Sequence, residues 1–295
     1  MASSYPPSPA PPRRRVHRHK RRRLGRLIRR LLCLLAFVIL ASALGLVLNA
    51  LHPHADIGRD EPSPTAAPAE DAVQAAAADN KIVVAVDPGH GGVNPNIGAE
   101  DLGSEYNGLN EFSITMQTAQ LLYDKLQNDG RFAPLLTADG SAYLKPSERG
   151  AAAKAAGAQL LLSIHLNYDA SSASGFECYA APPKLTTNAD SLRFGRLLAS
   201  AFSGMGLRLR GADGVRYLYF DENNDRIVSE STDAEPRTDP TFTVLEDCGC
   251  PAVLCEEGFI TSSGDMALLS GDSGCEAAAE AYYQCIVEYF FGPAV

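Results

Sequence analysis

The chain has 295 residues and a formal charge of −9, divided very unevenly. Eleven of its 26 Lys/Arg residues lie between Arg13 and Arg30, and no acid precedes Asp56; the rest has 15 basic against 35 acidic residues, a formal charge of −20. So acidic a remainder excludes a nucleic-acid binder, which needs a basic face, while its ordinary apolar content and length allow one sizeable domain with its own core.

In chain order, residues 1–30 form a basic arm. Leu31 to Leu51 follows without a charge, and about 20 such residues span a bilayer as a helix. Because positive flanks stay in the cytoplasm, the expectation is a single-pass signal-anchor helix at 31–51, with the remainder extracytoplasmic at the cell membrane. A cleaved signal peptide is the competing reading, with small residues at Ala41–Ser42–Ala43 and Asn49–Ala50–Leu51; both readings export the domain. Residues 52–80, rich in Pro, Ala and Asp, read as a linker.

The domain 81–295 opens with Lys81–Val86, a β-branched run stopped by Asp87–Pro88–Gly89, which reads as a buried strand. Glu111–Asn128 has the apolar spacing of an amphipathic helix, with Asn110 as its N-cap. Strands are predicted at Ala133–Thr137, Gln159–Ile164, Gly175–Ala180, Phe242–Leu245 and Ala252–Cys255. Helices are predicted at Ser147–Ala156, Ser191–Met205 and Asp265–Tyr289, the last with a break near Gly271–Gly274. Tyr217–Asp239 reads as a hairpin turned at Glu222–Asp225 and a polar loop: an acidic insertion outside the core. The alternation implies an α/β fold, a mixed, largely parallel sheet flanked by helices, forming a single catalytic domain after an N-terminal transmembrane helix. Cys33 falls in the apolar stretch. The other six cysteines are expected to be mostly free thiols or small buried hydrophobes, because spacing fixes no pairing.

The domain contains two histidines, His90 and His165, and each follows a predicted buried strand. Sites of parallel α/β folds collect at those carboxyl ends. A lone histidine is usually structural; two at strand ends point to a shared metal. Two His and one Glu form a recognised catalytic zinc set that leaves one position for water. Glu111, in the first turn of its helix, is the natural third ligand. Glu100 and Glu105 rival it on spacing, and a helix-dipole acid is its bland reading. In Pro251–Ser262 an apolar strand runs into Glu256 and Glu257, either of which could serve as general base.

Taken together, DPGHGG at 87–92, SIHLN at 163–167 and PAVLCEEGFITS at 251–262 resemble the zinc-dependent N-acetylmuramoyl-L-alanine amidases of the type-3 amidase family. The likeness extends from about Lys81 to Tyr289, with Ser147–Glu148–Arg149 and GFECY at 175–179 as further matches. It departs at Ala138, where arginine is common, and at Cys255, where Val is usual; Thr261–Ser262 replaces a frequent Ser–Asn. The resemblance implies Zn2+ held by His90, Glu111 and His165. It implies catalysis by Glu256, two residues before the Gly258–Phe259 pair, with Glu257 at a variable position. The implied reaction is hydrolysis of the peptidoglycan amide between the lactyl group of N-acetylmuramic acid and L-alanine, by zinc-activated water. An exported zinc peptidase acting on the stem peptide, or a non-catalytic wall-binding module, are the alternatives. Asn167 is expected either to orient substrate or to cap its loop. The acidic segment 217–239 could hold activity in check, which makes a regulatory protein a candidate partner alongside peptidoglycan and the membrane.

Overall fold

The computed structural model describes residues 80–169 and 172–293. The basic arm, the expected membrane helix with Cys33, and the linker up to residue 79 lie outside the described residues. Among those described, no helix is long and apolar enough to cross a membrane.

Seven strands form the main sheet: β1 (Ile82–Pro88), β6 (Phe132–Leu136), β7 (Leu160–Asn167), β8 (Glu177–Ala180), β9 (Val215–Phe220), β10 (Arg226–Glu230) and β11 (Ala252–Phe259). Their spatial order is β10-β9-β8-β11-β7-β1-β6. The run β11-β7-β1-β6 is parallel, β8 is antiparallel to β11 and parallel to β9, and β10 returns antiparallel on β9. Two small hairpins, β2 (Val93–Asn94) with β3 (Ala99–Glu100) and β4 (Glu105–Tyr106) with β5 (Leu109–Asn110), fill the connection after β1. The expected mixed, largely parallel sheet is present.

Side-chain alternation along the strands divides the interior in two. Val84, Val86, Leu160, Leu162, Val253 and Cys255 enter one core; Ala85, Leu161 and Leu254 enter the other. The first core is covered by α1 (Glu111–Asp129), α3 (Asn188–Gly204) and α6 (Gly271–Phe291), the second by α2 (Pro146–Ala155) and α4 (Thr243–Asp247). A strand buried on both faces reads as a continuous apolar run, as β1 and β7 do. α1 presents Ile114, Thr115, Thr118, Ala119, Leu122 and Leu126 inward, and the Asn110 side chain accepts from the Ser113 amide at 2.8 Å. The predicted break near Gly271 is real: α5 (Ser263–Leu269) ends and α6 begins on either side of Ser270. All six cysteines of the described domain are buried and free.

Two expectations are corrected. Phe242–Leu245 is not a strand; the Phe242 carbonyl accepts from the Leu245 and Glu246 amides and starts α4. A short apolar run carries no period that separates strand from helix. Segment 217–239 is not wholly peripheral either. Tyr217, Leu218 and Tyr219 are buried in β9, a paired strand of the main sheet, while the acidic part from Thr232 onward is mostly exposed. The acids surround the strand in sequence and disguise its alternating apolar residues.

Candidate metal centre and active site

β1 delivers its carboxyl end to a rigid loop. The Asp87 carboxylate accepts from Ser163 Oγ at 2.6 Å and from the Thr137 hydroxyl, and pairs with Arg149 at 3.2 Å. Arg149 also donates to the carbonyls of Pro88 and His90, both at 2.5 Å. All four polar side chains are buried, and a buried pair with its remaining hydrogen bonds satisfied resists rearrangement. The anchored loop then places His90 in a left-handed conformation, φ 67°, a strain that persists where the surroundings over-determine it. Gly89 is required beside it: a Cβ there would stand 2.5 Å from the His165 ring.

The chain returns through a pair of backbone bonds, Gly91 N–H to Asp101 O and Asp101 N–H to Gly92 O, each 2.8 Å. This return sets Asp101 Oδ1 at 2.8 Å from His90 Nδ1. A carboxylate there makes Nδ1 the proton-bearing nitrogen and turns Nε2 inward. Nε2 lies 3.2 Å from Glu111 Oε1, and His165 Nδ1 reaches the same oxygen at 3.0 Å. The amides of Leu166 and Ser104 donate to the two oxygens of Glu111 and hold it in place. Burial alone would lower the His90 imidazole and raise the Glu111 carboxyl. Mutual hydrogen bonding and charge outweigh it, pushing His90 up to about 9 and holding Glu111 well below the usual carboxylate range.

One ligand atom from each of His90, Glu111 and His165 lies within 4.8 Å of the others. Tetrahedral zinc with bonds of about 2.0–2.1 Å needs donors roughly 3.3 Å apart. The observed 3.0 and 3.2 Å separations and the two-imidazole, one-carboxylate set therefore fit such an ion. Glu100 and Glu105, the rivals on spacing, are exposed on β3 and β4 and stand outside this cluster.

β11 lies beside β7 with Glu256 in register with His165. Alternation sends Glu256 to the cleft and Glu257 into the opposite core, where it is fully buried. One Glu256 oxygen is buried without a hydrogen-bond partner among the described residues. Burial raises the Glu256 carboxyl well above its ordinary value, as do the negative charges of Glu111 and Glu177; Arg226 and His90 oppose the rise. Asn167 lies at the cleft too, but its amide donates to Glu177 at 2.8 Å and its oxygen accepts from the Tyr168 amide. It therefore ties the end of β7 to β8. The cleft measures about 430 Å³, and Tyr143, Tyr168, Arg226 and Phe242 add to its walls.

The chain thus combines a metal-competent His–Glu–His cluster and an orphan carboxylate at the ends of parallel strands, and residues 84–288 match the model of the N-acetylmuramoyl-L-alanine amidase family. The chain belongs to that family. It is 31% identical over 208 residues to the uncharacterized protein YqiI of Bacillus subtilis (strain 168), covering 70% of this chain and 84% of that protein. It is 27% identical over 212 residues to the N-acetylmuramoyl-L-alanine amidase CwlM of Bacillus licheniformis, covering 71% and 69%. The crystal structure of an N-acetylmuramoyl-L-alanine amidase from Clostridium difficile 630 superposes with a TM-score of 0.56 at 24% identity, over 72% of this chain and 97% of that one, and shows the same fold. In this amidase-family domain the three predicted ligand residues His90, Glu111 and His165 lie together. Sequence reasoning missed Asp101, which no spacing rule connects to His90. It also left without a role the Asp87–Arg149 pair, although Arg149 stood in a matched segment.

Proposed function

We propose that the domain hydrolyses the amide between the lactyl group of N-acetylmuramic acid and the L-alanine of the peptidoglycan stem, with a zinc ion held by His90, Glu111 and His165. The observation that carries this reading is the convergence of those three donors beside the unpartnered oxygen of Glu256. Bound zinc supplies a Lewis acid that acidifies water and polarises the scissile carbonyl. Glu256 acts as general base toward the attacking water, then returns the proton to the departing L-alanine nitrogen, because an amide anion is a poor leaving group. Its raised proton affinity suits that return step. Asp101 keeps His90 in the ligating tautomer, and Arg149 holds the His90 loop.

The basic arm and the uncharged stretch 31–51 support a single-pass tether with the domain outside the cell membrane, close to its substrate. A regulatory protein would act through the exposed acidic loop. A deletion testing that role should remove only residues 232–238, because a larger one takes β9 out of the core.

The test is chelation of the purified full chain, readdition of zinc, and mass spectrometry of products from peptidoglycan. Zinc-restored release of peptides beginning at L-alanine, with the glycan intact, is expected. Cleavage within the stem peptide would make the enzyme a peptidase. Absence of any cleavage by metal-loaded protein would leave a wall-binding module.

A further inference from the structure

The cleft above the His–Glu–His cluster is lined by Asp87, Asp101, Glu111 and Glu256, and by two arginines. Arg149 is fully engaged with Asp87 and three carbonyls. Arg226 is different: it is exposed, and its side chain makes no hydrogen bond or ion pair among the described residues. Neighbouring arginines do not share this freedom. Arg210 pairs with Glu177 at 3.0 Å, and Arg216 with Glu177 at 2.7 Å and Glu230 at 2.9 Å.

Arg226 is also not short of acids nearby. It opens β10 directly after a turn containing Asp221, Glu222 and Asp225, and one Asp221 oxygen is occupied by the amides of Asn223 and Asp225. The guanidinium nevertheless forms no pair with this turn and instead contributes to the cleft wall. Its charge is felt across the cleft, since it opposes the rise of the Glu256 carboxyl.

The sheet order gives the distance scale. β10 stands three strand spacings from β11, about 14 Å at ordinary separation, and an extended peptide advances about 3.3 Å per residue. With the scissile amide at Glu256 and an arginine side chain reaching inward from β10, the guanidinium meets the peptide beyond its first residue.

We propose that Arg226 is a specificity-determining residue that binds a carboxylate of the stem peptide beyond the L-alanine. This rests on the amidase reading above. The remaining cleft carboxylates would repel an acidic peptide, and one unpaired guanidinium on the wall provides a planar, two-pronged partner for it. The hairpin is thus the side of the cleft that reads the peptide, while the ends of β1, β7 and β11 perform the chemistry.

The experiment compares two synthetic muramoyl tripeptides, one with all stem carboxylates free and one with all of them converted to carboxamides. Zinc-loaded wild type, Arg226→Ala and Arg226→Glu are assayed on each. A charge-assisted contact at a partly solvated rim is worth about tenfold. Wild type is therefore expected to favour the free-acid substrate about tenfold in kcat/KM, chiefly through KM, and less so at high salt. Arg226→Ala should bring the ratio to within about twofold of unity, and Arg226→Glu should invert it. Arg226 is exposed on an edge strand, so both variants should keep the wild-type melting temperature. A wild-type ratio near one, or a ratio unchanged in both variants while the lactyl–alanine amide is still cut, would overturn the role of Arg226 and leave the amidase reading standing. Failure of wild type to cut either substrate at that amide would overturn the amidase reading, and this inference with it.

Discussion

The two faces of β11 carry neighbouring carboxylic acids with opposite fates. Glu256 faces the cleft, in register with His165 on one side and Glu177 on the other. Glu257 faces the helical core, fully buried beside Tyr282. Burial raises both acids, Glu257 to about 8. A perturbed carboxyl is therefore not in itself a sign of catalysis. What separates the pair is access to a cleft and to the His90–Glu111–His165 cluster, and strand alternation decides that.

The sharpest way to break the comparison is Glu256→Gln. It should lower zinc-dependent hydrolysis by about 10²–10⁴-fold, the usual contribution of positioned acid–base catalysis. Metal content and melting temperature should stay at wild-type values. Near-normal turnover by the metal-loaded variant would move the base elsewhere.

Asp101→Ala tests how far the cleft face depends on support behind its ligands. Loss of the carboxylate on His90 Nδ1 should weaken zinc affinity about 10–100-fold, read by competition with a chromogenic chelator. At saturating zinc much of the activity should return. An unchanged affinity would reduce Asp101 to a loop brace.

Glu257→Gln should have the smallest effect on turnover, within about twofold, and should show itself in stability instead. The native state holds the Glu257 proton up to about pH 8, whereas the unfolded chain releases it near its ordinary value of 4.5. Between those values the native state binds more protons, so stability falls as pH rises through the window and is level above it. The glutamine variant lacks this loss. It should match wild type near pH 4.5 and exceed it by roughly 4 kcal/mol above pH 8, measured by denaturant unfolding of apo protein. Parallel pH curves for the two proteins would show that Glu257 is already neutralised by some other means.

Much of this molecule was legible in one dimension. β1 and β7 are mostly apolar runs, α1 has helical spacing behind an Asn cap, and the domain histidines sit just past β1 and among the last residues of β7. The choice between Glu256 and Glu257 needed the family pattern at the sequence level, since either acid suits a strand end chemically. In the fold, the register of β11 on β7 turns Glu256 to the cleft and Glu257 away from it. Phe242–Leu245 was misread because four apolar-rich residues have no measurable period, and β9 was underestimated because its acidic neighbours dominate the local composition.

The sequence alone determined the elements whose signal is local: the period of burial in each strand and helix, the residue types able to ligate a metal, and their place at element ends. Tertiary structure alone decided which distant side chains meet. Asp101 reaches His90 through a loop closed by two backbone bonds, Arg149 reaches the His90 carbonyl from another helix, and Arg226 stands over the cleft because β9 and β10 extend the sheet. Periodicity is a property of one segment, whereas these contacts depend on how several segments pack, and no spacing along the chain encodes that distance.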